Sequence, residues 1–336
     1  MAKIAFFRLE KWEEEYIKEH LKGHELVFAD KPLTGENVGN FKDVEAVGIF
    51  LYSKINQDIL SKLPGLKFVA TMSTGFDHID LDACRKKKVV VSNVPAYGDN
   101  TVAEHAMGLL LAISKHLVES VERTRKGDFS LEGLRGFDLK GKTVGIIGTG
   151  KIGSHMARFA RAFDMRVIAF DKFPNESVAK EYGFSYVPLD KLFAESDVIS
   201  LHLPENPETH HTINKDNYKK IKKGCVLINT ARGSLVESEA ILLGLKEGVF
   251  SAAGLDVLEE ECAIREEKEL VTETFQHTCD LKTVLETHML LLKPNVLITP
   301  HNAFNSSEAL QRILDTTIEN MNAFFAGVPK NRVDEK

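Results

Sequence analysis

The stretch TVGIIGTGKIGSHMARFA, residues 143–160, decides the fold of this chain. It opens with a short Val/Ile-rich run, which is typical of a strand buried on both faces of a parallel sheet. Three glycines follow with the spacing Gly148-x-Gly150-x-x-Gly153, and a helical stretch is predicted over 152–164. This glycine spacing is informative only between a strand and a helix, and here it has that context. The stretch therefore predicts a dinucleotide-binding βαβ unit.

Each glycine has a steric reason in such a unit. Gly148 permits the tight turn, Gly150 lets the backbone approach a pyrophosphate, and Gly153 lets the helix pack closely on the strand. Lys151 and Ile152 open the helix, whose N-terminal amides stabilise the negative charge of the phosphates. These five positions are the first predicted cofactor contacts.

An acidic residue closes the next predicted strand. This strand, RVIAFD, ends at Asp171. A carboxylate at that position can accept hydrogen bonds from both ribose hydroxyls, and it repels a 2′-phosphate. The sequence therefore predicts NAD rather than NADP as the cofactor.

Short apolar runs alternate with amphipathic stretches along almost the whole chain, which predicts an α/β fold with parallel sheets. The runs form two series, so two sheets are expected, with a border near 94–100 where Pro, Gly and Asp interrupt regular structure. The first series of predicted strands is 3–7, 25–29, 46–51, 67–71 and 89–92. The second series is 143–147, 166–170, 198–202, 225–229, 251–255 and 296–299. The predicted helices are 11–22, 101–126, 152–164, 236–247, 281–291 and 306–326.

Composition excludes several classes of function. The chain has 336 residues and a net charge of −6, so the basic face that nucleic-acid binding needs is not expected. Its four cysteines form no C-x-x-C pair, so neither a metal site nor a disulfide framework is predicted. The N-terminus is interpreted as a strand rather than a signal peptide, and no apolar stretch approaches the roughly 20 residues that span a membrane. We expect a cytoplasmic protein.

Charged side chains follow several strands of the second series. Arg232 comes shortly after 225–229, Asp256 directly after 251–255, and His301 shortly after 296–299. In a doubly wound sheet, ligands bind outside the carboxyl ends of the strands. Arginine binds a carboxylate through two parallel hydrogen bonds, and histidine titrates near neutrality and can transfer a proton. This combination predicts a site for a 2-oxoacid beside the cofactor.

Seven segments together resemble the D-isomer-specific 2-hydroxyacid dehydrogenases, most closely the D-lactate dehydrogenases among them. The resemblance extends over nearly the whole chain. The segments are STGFDHIDLDAC (73–84), VPAYGDNTVAEHA (94–106), GIIGTGKIG (145–153), SDVISLHLPENPETHHTIN (196–214), LINTARGSLVE (227–237), GLDVLEEE (254–261) and ITPHNAF (298–304).

The resemblance implies a catalytic set. Arg232, in the TARG segment, would bind the substrate carboxylate and polarise the carbonyl group. His301, in the TPH segment, would transfer the proton. The catalytic glutamate of the family lies five residues after the aspartate of the LDV segment, which selects Glu261, and this residue would keep His301 charged.

The resemblance also implies binding residues and a domain order. The implied substrate-binding residues are Thr74, Gly75, Tyr52, Tyr97 and Phe304. The implied cofactor contacts, beyond the glycine loop and Asp171, are Leu203, Pro204, Thr209, Thr230, Ala231 and Asp256. Residues 1–99 plus 301–336 would form a flavodoxin-like substrate domain, and residues 100–300 a Rossmann NAD-binding domain. Homodimers are usual in this family.

The expected activity is the NAD-dependent reduction of pyruvate to D-lactate, or the reverse reaction. One alternative is a dehydrogenase for bulkier 2-oxoacids such as phenylpyruvate or 2-oxoisocaproate. The other is an NAD-sensing interaction protein on the same fold, which would not need Arg232, Glu261 and His301 together. The expected partner is a small 2-oxoacid or 2-hydroxyacid, without nucleic acid or membrane.

Overall fold

The computed structural model describes residues 1–259 and 281–335. The chain forms two compact units, one of Met1–Tyr97 with Asn305–Lys336 and the other of Gly98–Phe304. Each unit contains one parallel sheet with helices, so the predicted α/β fold with two parallel sheets is confirmed. The predicted domains, 1–99 plus 301–336 and 100–300, and the roles given to them stay a prediction.

The first unit is built on a five-stranded parallel sheet with the order β2-β1-β3-β4-β5. Alternate residues of the first strand enter different cores: Phe7 packs on one face of the sheet and Phe6 on the other. Gly48 lies opposite Phe6, and a Cβ there would be 2.3 Å from the Phe6 ring, so only glycine leaves room for it. The strands are β1 (Lys3–Phe7), β2 (Glu25–Ala29), β3 (Ala46–Ile49), β4 (Phe68–Thr71) and β5 (Val90–Ser92).

Helices cover both faces of this sheet. One face packs against α2 and α3, and the other against α1 and the last helix of the chain. The short helices α2 and α3 were not predicted, because six or seven residues are too few to show a clear helical period. The helices are α1 (Lys11–His20), α2 (Gln57–Lys62), α3 (Leu81–Lys87) and the last helix, α11 (Ser307–Phe325).

The second unit contains a seven-stranded parallel sheet with the order β12-β11-β10-β9-β6-β7-β8. All residues of β6, β9 and β10 are buried, as the continuous apolar runs predicted. Of these strands only the two-residue β8 was not predicted. The strands are β6 (Thr143–Ile147), β7 (Arg166–Phe170), β8 (Ser185–Tyr186), β9 (Val198–Leu201), β10 (Cys225–Asn229), β11 (Phe250–Leu255) and β12 (Val296–Ile298).

The long helix predicted over 101–126 was wrong in one respect, because it is two helices. The break lies at Lys115 and His116, and His116 has a φ of +49°. The carbonyl of Ser114 accepts from the N–H of Phe137 at 2.9 Å instead of continuing the helical ladder. The helices of this unit are α4 (Asp99–Ser114), α5 (Leu117–Arg125), α6 (Lys151–Ala162), α7 (Glu176–Tyr182), α8 (Leu189–Glu195), α9 (Ser238–Glu247) and α10 (Leu281–Leu291).

The described residues contain neither a candidate membrane-spanning helix nor a candidate metal site. None of their helices combines the length and apolar character needed to cross a membrane. Within the same residues, no group of three or more His, Cys, Asp or Glu side chains is arranged to hold a metal ion.

Candidate functional site

The glycine loop lies where the strand order of the seven-stranded sheet reverses. From β6 the chain proceeds to β7 and β8 on one side, and then to β9, β10, β11 and β12 on the other. The loop 148–150 follows β6, and Leu203 and Pro204 follow the adjacent β9. This reversal opens a crevice at the carboxyl edge, which is the usual ligand site of an open parallel sheet.

The glycines of this loop have the steric roles that the sequence predicted. A Cβ on Gly148 would be 2.7 Å from the His202 carbonyl oxygen, and its φ is +93°. A Cβ on Gly153 would be only 2.0 Å from the Gly148 carbonyl oxygen. Around Gly150 the same position is open within 4 Å in the described structure, so a ligand can approach the backbone there. The loop thus fits a pyrophosphate.

Helix α6 begins directly at this open position. Gly150 is its N-cap, and Lys151 and Ile152 are its first residues. No acidic residue lies in the first turn of α6, so the N-terminal amides and the helix dipole act on a phosphate without competition from a carboxylate there.

A partly buried histidine lies beneath the glycine loop. Burial lowers the pKa of His202 to about 4, so its imidazole is neutral at physiological pH. Its Nε2 is 2.9 Å from the Ser200 hydroxyl. The floor of the loop is therefore uncharged, and the favourable charge for phosphates comes from the backbone amides.

Asp171 is held in a fixed orientation at the end of β7. Its Oδ2 accepts from the N–H and the hydroxyl of Thr149 at 2.7 and 3.0 Å, and its Oδ1 accepts from the N–H of Phe173 at 2.9 Å. The neighbouring Lys172 forms an ion pair with Glu208. Asp171 is partly exposed, so it can still accept from ribose hydroxyls.

The segment after β9 forms a closed turn beside the loop. A Cβ on Gly148 would be 2.9 Å from Leu203 Cδ2, so Leu203 lies against the glycine loop. The Thr209 hydroxyl donates to the Pro204 carbonyl at 2.6 Å and accepts from the N–H of Asn206 at 3.0 Å. These bonds place the predicted cofactor contacts Leu203, Pro204 and Thr209 in one ordered turn.

The turn after β10 carries Arg232. Asn229 holds it from both sides, because its amide donates to the Arg232 carbonyl at 2.8 Å and its Oδ1 accepts from the N–H of Ala231 at 3.1 Å. The guanidinium donates to the Ala231 carbonyl at 2.7 Å. The buried hydroxyl of Thr230 has no hydrogen-bond partner among the described residues. An unsatisfied buried hydroxyl at this edge fits contact with a bound cofactor.

The chain that follows β11 passes close to this turn. A Cβ on Gly233 would lie 2.0 Å from the carbonyl carbon and oxygen of Leu258, so the backbone crosses there at close range.

Glu259 has structural partners. It accepts from the N–H of Ser238 at 2.8 Å and contacts His211 Nε2 at 2.5 Å. Glu261, the predicted catalytic acid, lies outside the described residues.

His301 lies in a tight turn after β12, with a φ of +52° and its N–H donating to the Thr299 carbonyl at 2.9 Å. Asp256 holds this turn. Its two oxygens accept from the N–H groups of Asn302 and Ala303 at 3.0 and 2.9 Å. Asp256 is only 1% exposed, and its predicted contact with the nicotinamide stays a prediction.

The implied substrate residues of the first unit follow the carboxyl ends of its strands. Thr74, after β4, donates to the Val94 carbonyl at 2.9 Å, and the Gly75 carbonyl accepts from the Ser73 hydroxyl at 2.7 Å. These bonds order the 73–75 turn after β4. The turn is therefore in a position to offer backbone amides to a ligand.

Two arginines that were not predicted contact the implied substrate tyrosines. Arg312 Nε donates to the Tyr97 carbonyl at 2.6 Å, and the Arg8 guanidinium lies 4.0 Å from the centre of the Tyr52 ring. Arg8 directly follows β1, so its place after a strand was the available signal. Phe304 is partly buried and ends the second unit.

Known proteins of one family resemble this chain. Residues 107–303 match the model of the D-isomer specific 2-hydroxyacid dehydrogenase NAD binding domain. The chain is 38% identical to D-lactate dehydrogenase of Escherichia coli over 329 residues, which cover 97% of each chain.

Two solved structures extend the comparison. D-lactate dehydrogenase of Aquifex aeolicus, complexed with NAD and lactic acid, is 37% identical with a TM-score of 0.83, and 96% of each chain is covered. D-2-hydroxyisocaproate dehydrogenase is 28% identical with a TM-score of 0.82, and 99% of each chain is covered. The chain therefore belongs to the D-isomer specific 2-hydroxyacid dehydrogenases, a family of NAD-dependent oxidoreductases.

Proposed function

We propose that this chain is a D-lactate dehydrogenase, which reduces pyruvate with NADH and catalyses the reverse reaction. The observation that carries the proposal is the placement of Arg232 and His301. They follow β10 and β12, which flank β11 at the carboxyl edge of the sheet that bears the glycine loop. Neighbouring strands lie about 4.8 Å apart, so a small substrate can reach both residues beside the cofactor crevice.

Within this proposal each residue has a defined role. NADH, when bound, supplies the hydride that forms the new C–H bond at the keto carbon. Arg232 binds the carboxylate through two parallel hydrogen bonds and polarises the carbonyl group. His301, protonated, donates the proton to the keto oxygen, and in the oxidation of lactate it accepts that proton. Glu261 is the proposed carboxylate that keeps the imidazole of His301 charged.

The cofactor residues contribute binding and discrimination. Gly148, Gly150 and Gly153 admit the pyrophosphate to the start of α6, together with the amides of Lys151 and Ile152. Asp171 accepts from the ribose hydroxyls and disfavours a 2′-phosphate. The remaining proposed cofactor contacts are Leu203, Pro204, Thr209, Thr230, Ala231 and Asp256.

The identity of the substrate is the finer part of the proposal. Thr74 and Gly75 are proposed to bind the substrate through backbone amides, and Tyr52, Tyr97 and Phe304 to limit the size of its side chain. The similarity to D-lactate dehydrogenases supports pyruvate. The similarity to D-2-hydroxyisocaproate dehydrogenase favours a second candidate, a dehydrogenase for bulkier 2-oxoacids.

We also propose that the enzyme is a cytoplasmic homodimer. The segment after α4 exposes apolar side chains that a second copy would cover. They are Leu117, Val118, Val121, Phe129 and Leu131, each at least 45% exposed. Sedimentation velocity tests this state, and a monomer at micromolar concentration would contradict it.

The test of function is NADH oxidation with 2-oxoacids of increasing size, combined with the chirality of the product. Highest kcat/KM on pyruvate with D-lactate as product is expected. Higher kcat/KM on phenylpyruvate or 2-oxoisocaproate would agree with the proposed mechanism but contradict pyruvate as the preferred substrate. An absence of turnover on every 2-oxoacid, with NADH still bound, would instead favour an NAD-sensing interaction protein.

The role of His301 has its own test. His301→Gln is expected to lower kcat by about 10²- to 10⁴-fold, because it removes the proton donor, while NADH binding is retained. Pyruvate reduction should fall and lactate oxidation rise as the pH increases, since the two directions need opposite protonation states of one group. Loss of NADH binding in this variant would show that His301 has been given the wrong role.

A further inference from the structure

A chain of hydrogen bonds runs from helix α4 to the turn that carries His301. His105 Nε2 is 3.0 Å from the Thr299 hydroxyl, and that hydroxyl donates to Asp256 Oδ1 at 2.5 Å. Asp256 in turn accepts from the N–H groups of Asn302 and Ala303, the two residues after His301. The chain therefore ends on the backbone that fixes His301.

The direction of these bonds can be assigned. The single hydrogen of the Thr299 hydroxyl is directed to Asp256, so the hydroxyl oxygen can only accept from His105. His105 must then carry a hydrogen on Nε2 and donate it. The hydrogen bonds thus run from His105 to Thr299 and from Thr299 to the Asp256 carboxylate.

The buried carboxylate makes this arrangement sensitive to the loss of a donor. Asp256 is 1% exposed, and three donors compensate for its removal from water: the Thr299 hydroxyl and the amides of Asn302 and Ala303. A buried carboxylate that loses a donor must rearrange toward another one. Because two of its donors are the amides that follow His301, such a rearrangement moves the His301 turn.

We propose that His105 and Thr299 are positioning residues for proton transfer, which act on His301 through Asp256. His105 lies on α4, and 24% of its side chain is exposed. It is distinct from the residues proposed to touch substrate. His105 Nε2 lies 3.0 Å from the Thr299 hydroxyl and 3.5 Å from Asp256 Oδ1. It therefore acts on the carboxylate both directly and through that hydroxyl. The inference rests on the proposed function, in which His301 transfers the proton.

The test uses matched pairs of variants in the full-length enzyme. His105→Leu and Thr299→Val remove the hydrogen bonds at similar volume, whereas His105→Gln and Thr299→Ser keep a donor at each position. The two disruptive variants are expected to lower kcat about tenfold, because small displacements of a proton donor are costly. The two conservative variants are expected to retain most of kcat. His288→Leu, a partly exposed helical histidine of the same unit, serves as the control.

A second set of variants separates positioning from general damage. His105→Leu is combined with His301→Gln, and kcat is compared with that of His301→Gln alone. If His105 acts through His301, the second substitution causes no further loss. An equal loss in both backgrounds, or full kcat in His105→Leu and Thr299→Val alone, would overturn the proposal. If His301→Gln itself keeps full kcat, the proposed function has failed, and this inference fails with it.

Discussion

The carboxylate of Asp171 accepts both the backbone N–H and the hydroxyl of Thr149, at 2.7 and 3.0 Å. The glycine loop and the end of β7 are thereby joined by one side chain. The same hydroxyl also lies 2.7 Å from the Tyr186 hydroxyl, on the short strand β8. The residue that we propose to recognise the ribose is thus fixed before the cofactor binds, which reduces the entropy lost on binding.

This relationship predicts the cofactor preference of an Asp171 variant. Asp171→Ser should lower kcat/KM for NADH about 10- to 100-fold, since hydrogen bonds to a charged group contribute roughly 1.5–3 kcal/mol. The kcat/KM for NADPH should rise, because the repulsion of the 2′-phosphate is removed. Steady-state kinetics with both cofactors measure the change. Lys172→Ala, which leaves the carboxylate in place, is the control, and an unchanged NADH to NADPH ratio in Asp171→Ser would contradict the assigned role.

Gly150 and Gly153, at the start of α6, should respond differently to substitution by alanine. A Cβ on Gly153 would be 2.0 Å from the Gly148 carbonyl, so Gly153→Ala must displace backbone and should lower the melting temperature of the apoprotein. Around Gly150 no described atom outside the residue and its two chain neighbours lies within 4 Å of that position, so Gly150→Ala should fold normally and lose NADH affinity. Thermal unfolding and NADH titration of both variants separate the two effects. Equal melting temperatures of the two variants would show that the backbone around Gly153 can shift to accommodate a Cβ without loss of stability.

The neutral His202 predicts a pH dependence of stability. Burial lowers its pKa from 6.5 to about 4, so the unfolded chain binds a proton between these values while the folded chain does not. The stability contributed by this residue is therefore present above about pH 6.5 and is lost progressively as the pH falls toward 4, by up to about 3 kcal/mol.

His202→Gln tests this dependence, because glutamine does not titrate and can still bond the Ser200 hydroxyl. Urea unfolding of the apoprotein at pH 7.5, 6.5, 5.5 and 4.5 should show a smaller acid loss in the variant than in the wild type. His288→Gln should keep the wild-type slope. Parallel curves for His202→Gln and the wild type would show that His202 is not responsible.

The sequence predicted best the features that depend on local spacing. The glycine loop, Asp171 and Arg232 each follow a strand at short range, so periodicity and residue type were sufficient to locate them. Features that depend on distant pairs were missed. The break after Ser114 exists because its carbonyl accepts from Phe137, and the contact of His105 with Thr299 joins positions 194 residues apart. No local pattern contains such a pairing, which arises only when the sheet brings the two segments together.

Arg8 provides a prediction about substrate size. Its guanidinium lies 4.0 Å from the centre of the Tyr52 ring, and its N–H donates to the Ala29 carbonyl at 2.7 Å, which fixes the backbone from which the side chain extends. A cation over an aromatic ring at an exposed site contributes roughly 0.5–1 kcal/mol. If Tyr52 limits the side chain of the substrate, a loosened ring should admit larger 2-oxoacids.

Arg8→Met removes the charge and keeps an unbranched side chain over the ring. The ratio of kcat/KM on phenylpyruvate to that on pyruvate should rise about 2- to 5-fold, the equivalent of 0.5–1 kcal/mol. Tyr52→Ala should raise the same ratio further, because the ring itself is removed. Lys18→Met is the matched control, since Lys18 lies 4.6 Å from the centre of the Phe28 ring in the same unit. A ratio that changes equally in Lys18→Met, or in none of the three variants, would show that Tyr52 and Arg8 do not set the preference for small substrates.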